Sequence, residues 1–372
     1  MKVALVHDHL TQQGGAEQVL KVFQQIWPEA PTFTLLYDRK KLGPAFRDKD
    51  IRTSFLQRWP GAVRHYQWFL PLMPTATESY NLMDYDVVIS SSSAMAKGVI
   101  TGPRTLHLCY CHTPTRYLWS DTHRYVDELR YNPLVKKVIP RVLTRLRMWD
   151  QLAAQRVDVF VANSKNVAER IRKYYRRDSI VIHPPVDTQA FSISRQLGNY
   201  YFTGGRLVAY KRFDVAIAAF NRLRIPLKIF GEGPEEKKLR SLAQPNIEFL
   251  GRVTKEQLKT LYSQALAFIH PQVEDFGLTA VESMAAGRPV IALAQGGACE
   301  TIIPGKTGTF FDEQTWEALA DTVVRFKTEQ FDPTFIKSCA EQFSVERFKD
   351  LITEVVAKEL EVSRETGRRL KV

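Results

Sequence analysis

Short apolar, β-branched runs alternate with helix-length amphipathic stretches along almost the whole of this 372-residue chain, and that rhythm limits its fold more than any other feature. In the first half it predicts strands over residues 3–6, 32–36, 86–90, 106–111, 158–162 and 180–182, with helices over 16–26, 135–156 and 165–175. In the second half it predicts strands over 200–203, 227–230, 247–250, 267–269, 290–292 and 308–311, and helices over 213–222, 255–263, 278–286 and 316–327. Strands joined through helices run parallel, and a parallel sheet buries both faces under those helices. The fold class is therefore α/β, with two doubly wound domains, since the chain is too long for one ordinary core. They are expected at residues 1–190 and 191–344, parted by the stretch from Pro184-Pro185 to Gly198. The helix over 345–360 has no strand after it, so residues 345–372 are expected to cross back to the first domain.

Composition removes several classes. Hydrophobic residues at 44% and charged residues at 25% suit a soluble globular chain. No run approaches the roughly 18 apolar residues of a membrane span. Four apolar residues precede His7 and Asp8, which is short of a signal-peptide core of about 7 to 15 residues. Four cysteines in such a length are no disulfide framework, and the cytosol is the expected location.

The net charge of +12 is unevenly spread: residues 1–195 hold 28 Lys+Arg against 17 Asp+Glu, and residues 196–372 hold 24 against 23. That excess either serves solubility or faces something anionic. Arg58, Trp59, Arg64, Tyr66, Trp68, Phe69, Leu70, Leu72 and Met73 mix cations with large apolar groups. Lys136, Lys137, Arg141, Arg145 and Arg147 recur on a predicted helix, and Arg364, Arg368, Arg369 and Lys371 follow Ser363 in a frayed or interfacial tail. Aromatics that enter a headgroup region beside cations drawn to it suit an anionic membrane surface better than a nucleic-acid groove.

Four loops of the second half fall at predicted strand ends. Gly204-Gly205-Arg206 is followed by Lys211; the glycines admit a ligand close to the backbone, and both cations can reach a diphosphate. Gly231-Glu232-Gly233-Pro234 either borders a nucleotide or is a plain turn. In Gly251-Arg252-Val253, an apolar residue can present its backbone to a nucleobase edge. The fourth loop carries Glu274 and, seven intervening residues on, Glu282 in the following helix. A carboxylate accepts hydrogen bonds from two vicinal hydroxyls, so Glu274 can grip a sugar and Glu282 a ribose. Asp275 belongs to the same donor-binding loop, and the amides of Phe276, Gly277 and Leu278 at the helix start offer an anion site.

These motifs, in this order, resemble the donor domain of the family 4 retaining glycosyltransferases, whose GT-B fold has two Rossmann-like doubly wound domains facing an interdomain cleft. Gly14-Gly15 looks like the family's glycine-rich loop, which faces the donor phosphates, and His112-Thr113-Pro114 resembles its catalytic-pocket histidine motif. The run from Cys109 to Trp119, with His7-Asp8 before it and Asn163-Ser164 after it, looks most like bacterial mannosyltransferases of polysaccharide and O-antigen assembly.

The resemblance implies retention at the anomeric carbon, no catalytic metal and no cofactor. It implies a nucleotide-sugar co-substrate, GDP-mannose foremost, and a glycan or polyprenyl-pyrophosphate-linked acceptor at the inner face of the cytoplasmic membrane. Arg206 and Lys211 then stabilise the departing nucleotide diphosphate, and the leaving phosphate assists same-face attack by the acceptor hydroxyl. His112 hydrogen-bonds the donor sugar, Glu274 grips it, and Asp8 lies beside the cleft on the acceptor side.

Other patterns carry less. Asp48-Lys49-Asp50 and Asp84-Tyr85-Asp86 lack further metal ligands nearby, and Cys109, Cys111 and His112 lack a second pair at zinc spacing. Three alternatives share the fold: a UDP-sugar donor, a catalytically silent sugar-nucleotide or polyanion-binding protein, and a sugar-nucleotide epimerase. Arg206, Lys211, Glu274 and Glu282 occurring together argue against the silent protein. The acidic loop and the basic first half argue against the epimerase.

Overall fold

Val- and Ile-rich segments form two all-parallel sheets in the computed structural model, which describes residues 1–122, 126 and 132–365, the side chains at 44, 133–136 and 364–365 apart. Seven strands make the first sheet: β1 (Val3–His7), β2 (Thr32–Thr34), β3 (Ile51–Thr53), β4 (Val87–Ser92), β5 (Leu106–Cys111), β6 (Val159–Ala162) and β7 (Ile180–Val181), in the order β3-β2-β1-β4-β5-β6-β7. Six make the second: β8 (Tyr201–Gly204), β9 (Leu227–Phe230), β10 (Ile247–Gly251), β11 (Phe268–His270), β12 (Val290–Leu293) and β13 (Gly308–Phe311), in the order β10-β9-β8-β11-β12-β13. The helices used below are α1 (Gly15–Ile26), α2 (Pro133–Gln155), α3 (Lys165–Tyr175), α4 (Phe213–Leu223), α5 (Leu278–Ala285) and α6 (Val345–Glu365).

In each sheet the chain winds outward from its first strand and then returns to that strand's other side. The reversals fall between β1 and β4 and between β8 and β11. Connections leave a reversal in opposite directions, so the carboxyl ends of the two strands open a crevice there.

The chain divides into two units, one of Met1–His183 with the segment from Phe348 onward, the other Pro184–Arg347. Within the first unit, Phe348, Ile352 and Val356 recur every four residues on α6 and are buried, as a helical apolar stripe requires. Phe348 meets Phe23 of α1 at 5.7 Å and Tyr110 of β5 at 5.6 Å.

β3 has no counterpart among the predicted strands. It is a three-residue edge strand with two exposed positions, and its parallel pairing with β2 is what makes it a strand. β2 stops at Thr34 because Leu35 and Leu36 turn into a separate cluster with Leu56 and Met73.

The aromatic and basic segment divides in two. Tyr66, Phe69 and Leu70 pack against that cluster, whereas Trp59 and Trp68 stand 50% and 73% exposed. On α2, Lys137, Arg141 and Arg145 are exposed at four-residue intervals, with Val138, Met148 and Leu152 also exposed. The side chains of Lys136 and Arg364, and residues Arg368, Arg369 and Lys371, lie outside the described residues.

One buried ion pair ties α2 to the turn after β4. Lys97 Nζ lies 2.5 Å from Asp150 Oδ1 and also donates to the Ala94 carbonyl. Asp150 accepts further from Thr115 Oγ1 at 2.8 Å, Trp119 Nε1 at 2.8 Å and the Tyr175 hydroxyl at 2.9 Å. Removing one partner of such a pair strands the other charge away from water. Lys97→Ala is expected to cost about 3–5 kcal/mol in urea unfolding; a loss below about 1 kcal/mol would show that the charge is not buried as described.

Candidate active site

The second unit gathers its polar groups at the reversal between β8 and β11. Three loops lie side by side along the carboxyl edge of the sheet. Gly205 N–H donates to Phe230 O at 3.0 Å, Leu207 N–H to Glu232 O at 2.9 Å, and Gly231 N–H to Gly251 O at 2.7 Å. Gly231 has a φ of 106°, and a Cβ there would lie 1.8 Å from Gly205 O, so only glycine allows this approach. Gly204, Gly205 and Arg206, then Gly231 and Glu232, then Arg252 and Val253 thus line adjacent loops. Arg206, Glu232 and Arg252 are exposed, and Val253 packs partly into the core.

Lys211 ends a short 3₁₀ turn ahead of α4 and reaches back over Gly205, where a Cβ would be 3.0 Å from its Nζ. Its ammonium lies 3.0 Å from Glu274 Oε1, the two side chains being 12% and 18% exposed. Burial alone would lower the Lys211 pKa; the charges of Glu274, Tyr210 and Glu282 hold it above the usual lysine value.

Glu274 sits in the loop after β11, and its carbonyl accepts from Gly297 N–H at 2.9 Å. Gly277, left-handed with a φ of 93°, opens α5 without a side-chain cap. Phe276 is buried edge-on against Phe343 at 5.4 Å, Leu278 packs on the same core, and Asp275 is half-buried between the two glutamates in sequence. From the second turn of α5, Glu282 accepts a hydrogen bond from the Tyr262 hydroxyl at 2.9 Å. Burial pushes its carboxyl up to about 7, opposed by that hydrogen bond and by Lys211, and aided by the charge of Glu274.

Two neighbours are absent from the sequence-based set. Tyr262, fully buried, lies on a helix with no motif to mark it. His270 ends β11, and Gln272 lies 3.1 Å away; burial pushes this histidine down to about 4, and its Nε2 has no partner among the described residues. A histidine closing a predicted strand just before the acidic loop was the signal available for it.

The first unit does the equivalent between β1 and β4. Asp8, expected on the acceptor side, is engaged by the backbone of its own unit. Asp8 is buried, and its carboxylate accepts from the amides of Ser93 (2.6 Å), Ala94 (2.9 Å), Met95 (2.7 Å) and Ala96 (2.7 Å). Burial opposes its ionisation, yet His7 and these amides hold its pKa below the usual range. Four donors occupy both oxygens, so Asp8 orders the turn after β4.

His112 follows β5, half-buried, with Nε2 2.8 Å from Ser91 Oγ; burial, then the charge of His7, pushes it down to about 4. Gly14 caps α1 and Gly15 is its first residue. A Cβ at Gly14 would be 3.0 Å from the Glu17 carboxylate, so this glycine makes room for Glu17.

Two family models match this chain: "Glycosyltransferase Family 4" over residues 31–190 and "Glycosyl transferases group 1" over 187–343. The chain belongs to glycosyltransferase family 4. This family 4 glycosyltransferase is similar to alpha-1,3/1,6-mannosyltransferase alg2 of Schizosaccharomyces pombe, 25% identical, covering 83% of this chain and 70% of that one. It is also similar to the GDP-mannose-dependent alpha-(1-6)-phosphatidylinositol monomannoside mannosyltransferase of Mycolicibacterium smegmatis, 23% identical over 86% of this chain and 87% of that one. With an uncharacterized glycosyltransferase of Methanocaldococcus jannaschii it shares 27% identity, the match spanning about half of each protein (48% and 52%).

Among solved structures, Anabaena HepE in complex with UDP aligns with a TM-score of 0.70 at 18% identity, over 96% of this chain and 100% of that one. Sucrose-phosphate synthase from Thermosynechococcus elongatus aligns at 0.72 and 16%, over 97% and 100%. At these identities the likeness concerns the fold, which is GT-B. By its two family models the protein is a glycosyltransferase, an enzyme that uses a nucleotide-sugar donor and a glycan acceptor.

The raised carboxyl of this glycosyltransferase has a pH signature. Glu282 holds its proton more tightly folded than unfolded, so its stabilisation is complete below about pH 4.5 and is lost as pH rises through about 7. Glu282→Gln should remove up to roughly 3 kcal/mol of that decline. Parallel pH-dependences of thermal unfolding in the two proteins would mean that the group titrates normally.

Proposed function

We propose that the protein transfers a mannosyl group from GDP-mannose, with retention at the anomeric carbon and without a metal ion, to a glycan or polyprenyl-pyrophosphate-linked acceptor at an anionic membrane surface. The observation that carries the reading is the Lys211–Glu274 pair with Glu282 alongside, at the reversal of a parallel sheet. Lys211, with Arg206 earlier in the same loop, answers the negative charge that grows on the leaving nucleotide diphosphate. Those two cations supply what a divalent metal supplies elsewhere. Glu274 accepts hydrogen bonds from sugar hydroxyls, Glu282 from a ribose, and the amides at the start of α5 approach the donor from the same loop.

His112 accepts a hydroxyl of the donor sugar. It is neutral at physiological pH, so it binds without competing for the phosphates. Gly14 and Gly15 are assigned to the donor phosphates, and Arg252 and Val253 to the base.

Mannose rests on the two relatives that match along most of both chains, both mannosyltransferases, and guanosine on the one of them whose name gives GDP-mannose. The membrane surface rests on Trp59 and Trp68, exposed near the exposed Arg58 and Arg64, and on the cations and apolar groups left open along α2. No helix among the described residues is long and apolar enough to cross a membrane.

A thermal-shift panel of GDP-mannose, UDP-glucose and UDP-N-acetylglucosamine tests the donor. A true donor at a hundred times its Kd stabilises by about 2.7 kcal/mol, and GDP-mannose should give the largest shift. Anomeric couplings of the product should show the α configuration, and EDTA should leave the rate unchanged. A larger shift with a UDP-sugar, an inverted product or loss of activity in EDTA would each remove the corresponding part of the reading. Binding to vesicles should require anionic lipid and weaken with salt; equal binding to neutral vesicles would end the membrane assignment.

A further inference from the structure

Glu17, His7, Ser91 and His112 form a file across three neighbouring strands and the first turn of α1, and only its last member has a place in the reading above. Glu17 Oε1 lies 3.7 Å from His7 Nε2, His7 Nδ1 lies 3.1 Å from Ser91 Oγ, and Ser91 Oγ lies 2.8 Å from His112 Nε2. The parallel register builds it. His7 of β1 stands beside Ser91 of β4, and β5 brings His112 to the end of the next strand. Gly14 admits the carboxylate, and Glu17, His7 and Ser91 are all buried.

Hydrogen-bond chemistry gives the file a direction. Burial works against the Glu17 charge, but His7 holds that carboxyl below its ordinary value, and a carboxylate can only accept. At 3.7 Å the carboxylate is too far for a hydrogen bond, but its charge favours the proton on the His7 nitrogen that faces it. In a ring with one proton, Nδ1 is then the acceptor and takes the Ser91 hydroxyl hydrogen. The Ser91 oxygen in turn accepts from His112 Nε2–H. His112 Nδ1 is left with its lone pair, and no described residue is recorded as bonding to it.

We propose that Glu17, His7 and Ser91 are positioning residues that fix His112 in the tautomer protonated at Nε2, so that Nδ1 accepts a hydrogen bond from a donor-sugar hydroxyl. The second half of this rests on His112 being a donor-sugar contact; the first half does not. Glu17→Gln is the isosteric test. An amide that turns its NH2 toward His7 Nε2 removes the charge that holds the proton there and reverses the two hydrogen bonds that follow, which puts a proton on His112 Nδ1, a donor where an acceptor is needed. Ser91→Ala breaks the file without reversing it.

The experiment is nitrogen NMR of the full protein labelled with ¹⁵N-histidine, together with transfer kinetics using GDP-mannose. The wild-type protein should show His112 as the Nε2–H tautomer. Glu17→Gln should shift it towards Nδ1–H and Ser91→Ala should give a mixture. Both should lower turnover about tenfold, the scale of one misdirected hydrogen bond, with GDP affinity unchanged. An Nδ1–H tautomer in the wild-type protein, or a His112 signal unmoved by both substitutions, overturns the file and leaves the contact between His112 and the sugar standing. A tautomer that shifts while turnover stays at the wild-type level overturns the role in transfer, and with it the place of His112 at the donor.

Discussion

A parallel sheet that winds outward both ways from its first strand must leave one pair of neighbouring strands whose connections part at their carboxyl ends. Both sheets of this protein do so, between β1 and β4 and between β8 and β11. Backbone groups at a parting have no helix pressed over them, and side chains there are the ones free to take on chemistry. The polar groups follow that geometry. Lys211 and Glu274 approach from the two sides of one reversal, and His7, Asp8 and Ser91 from the two sides of the other. The glycines of the β8 and β9 loops permit it, because side chains there would push the loops apart.

Charge is handled differently at the two reversals. In the first unit two buried carboxylates are matched almost completely, Asp8 by four amides and Asp150 by a lysine and three neutral donors. Such groups are structural: their lone pairs are spent. In the second unit two glutamates share the influence of one lysine, and Glu282 is left with a carboxyl near 7. Perturbed carboxyls of this kind gather at functional sites.

Much of this was legible in the residues. Period and length gave both series of strands, because buried parallel strands are rich in continuous apolar runs, as in residues 87–89 and Val290–Leu293. The edge strand β3 was not legible: Ile51-Arg52-Thr53 is held by its neighbour and not by its own pattern. Lys211, Glu274 and Glu282 stood out because charged residues around glycines at strand ends have little structural reason to be there. Tyr262 and Ser91 did not, since a tyrosine on a helix and a serine in a strand look like core until the partner across the fold is known. The partners of Asp8 were hidden for a related reason. An aspartate after a strand looks the same whether it faces a ligand or four amides eighty-odd residues away.

The return of α6 to the first unit also governs the order in which the molecule can be completed. The second unit is one uninterrupted stretch, Pro184–Arg347, whereas the first is assembled from the beginning of the chain and its last helix. On the ribosome, Phe23 and Tyr110 are made early, but Phe348, the ring that covers them both, emerges only after the whole intervening unit. The half made first is thus the half finished last, with an apolar gap standing open for the duration of some two hundred peptide bonds, a span in which nascent-chain chaperones have something to hold.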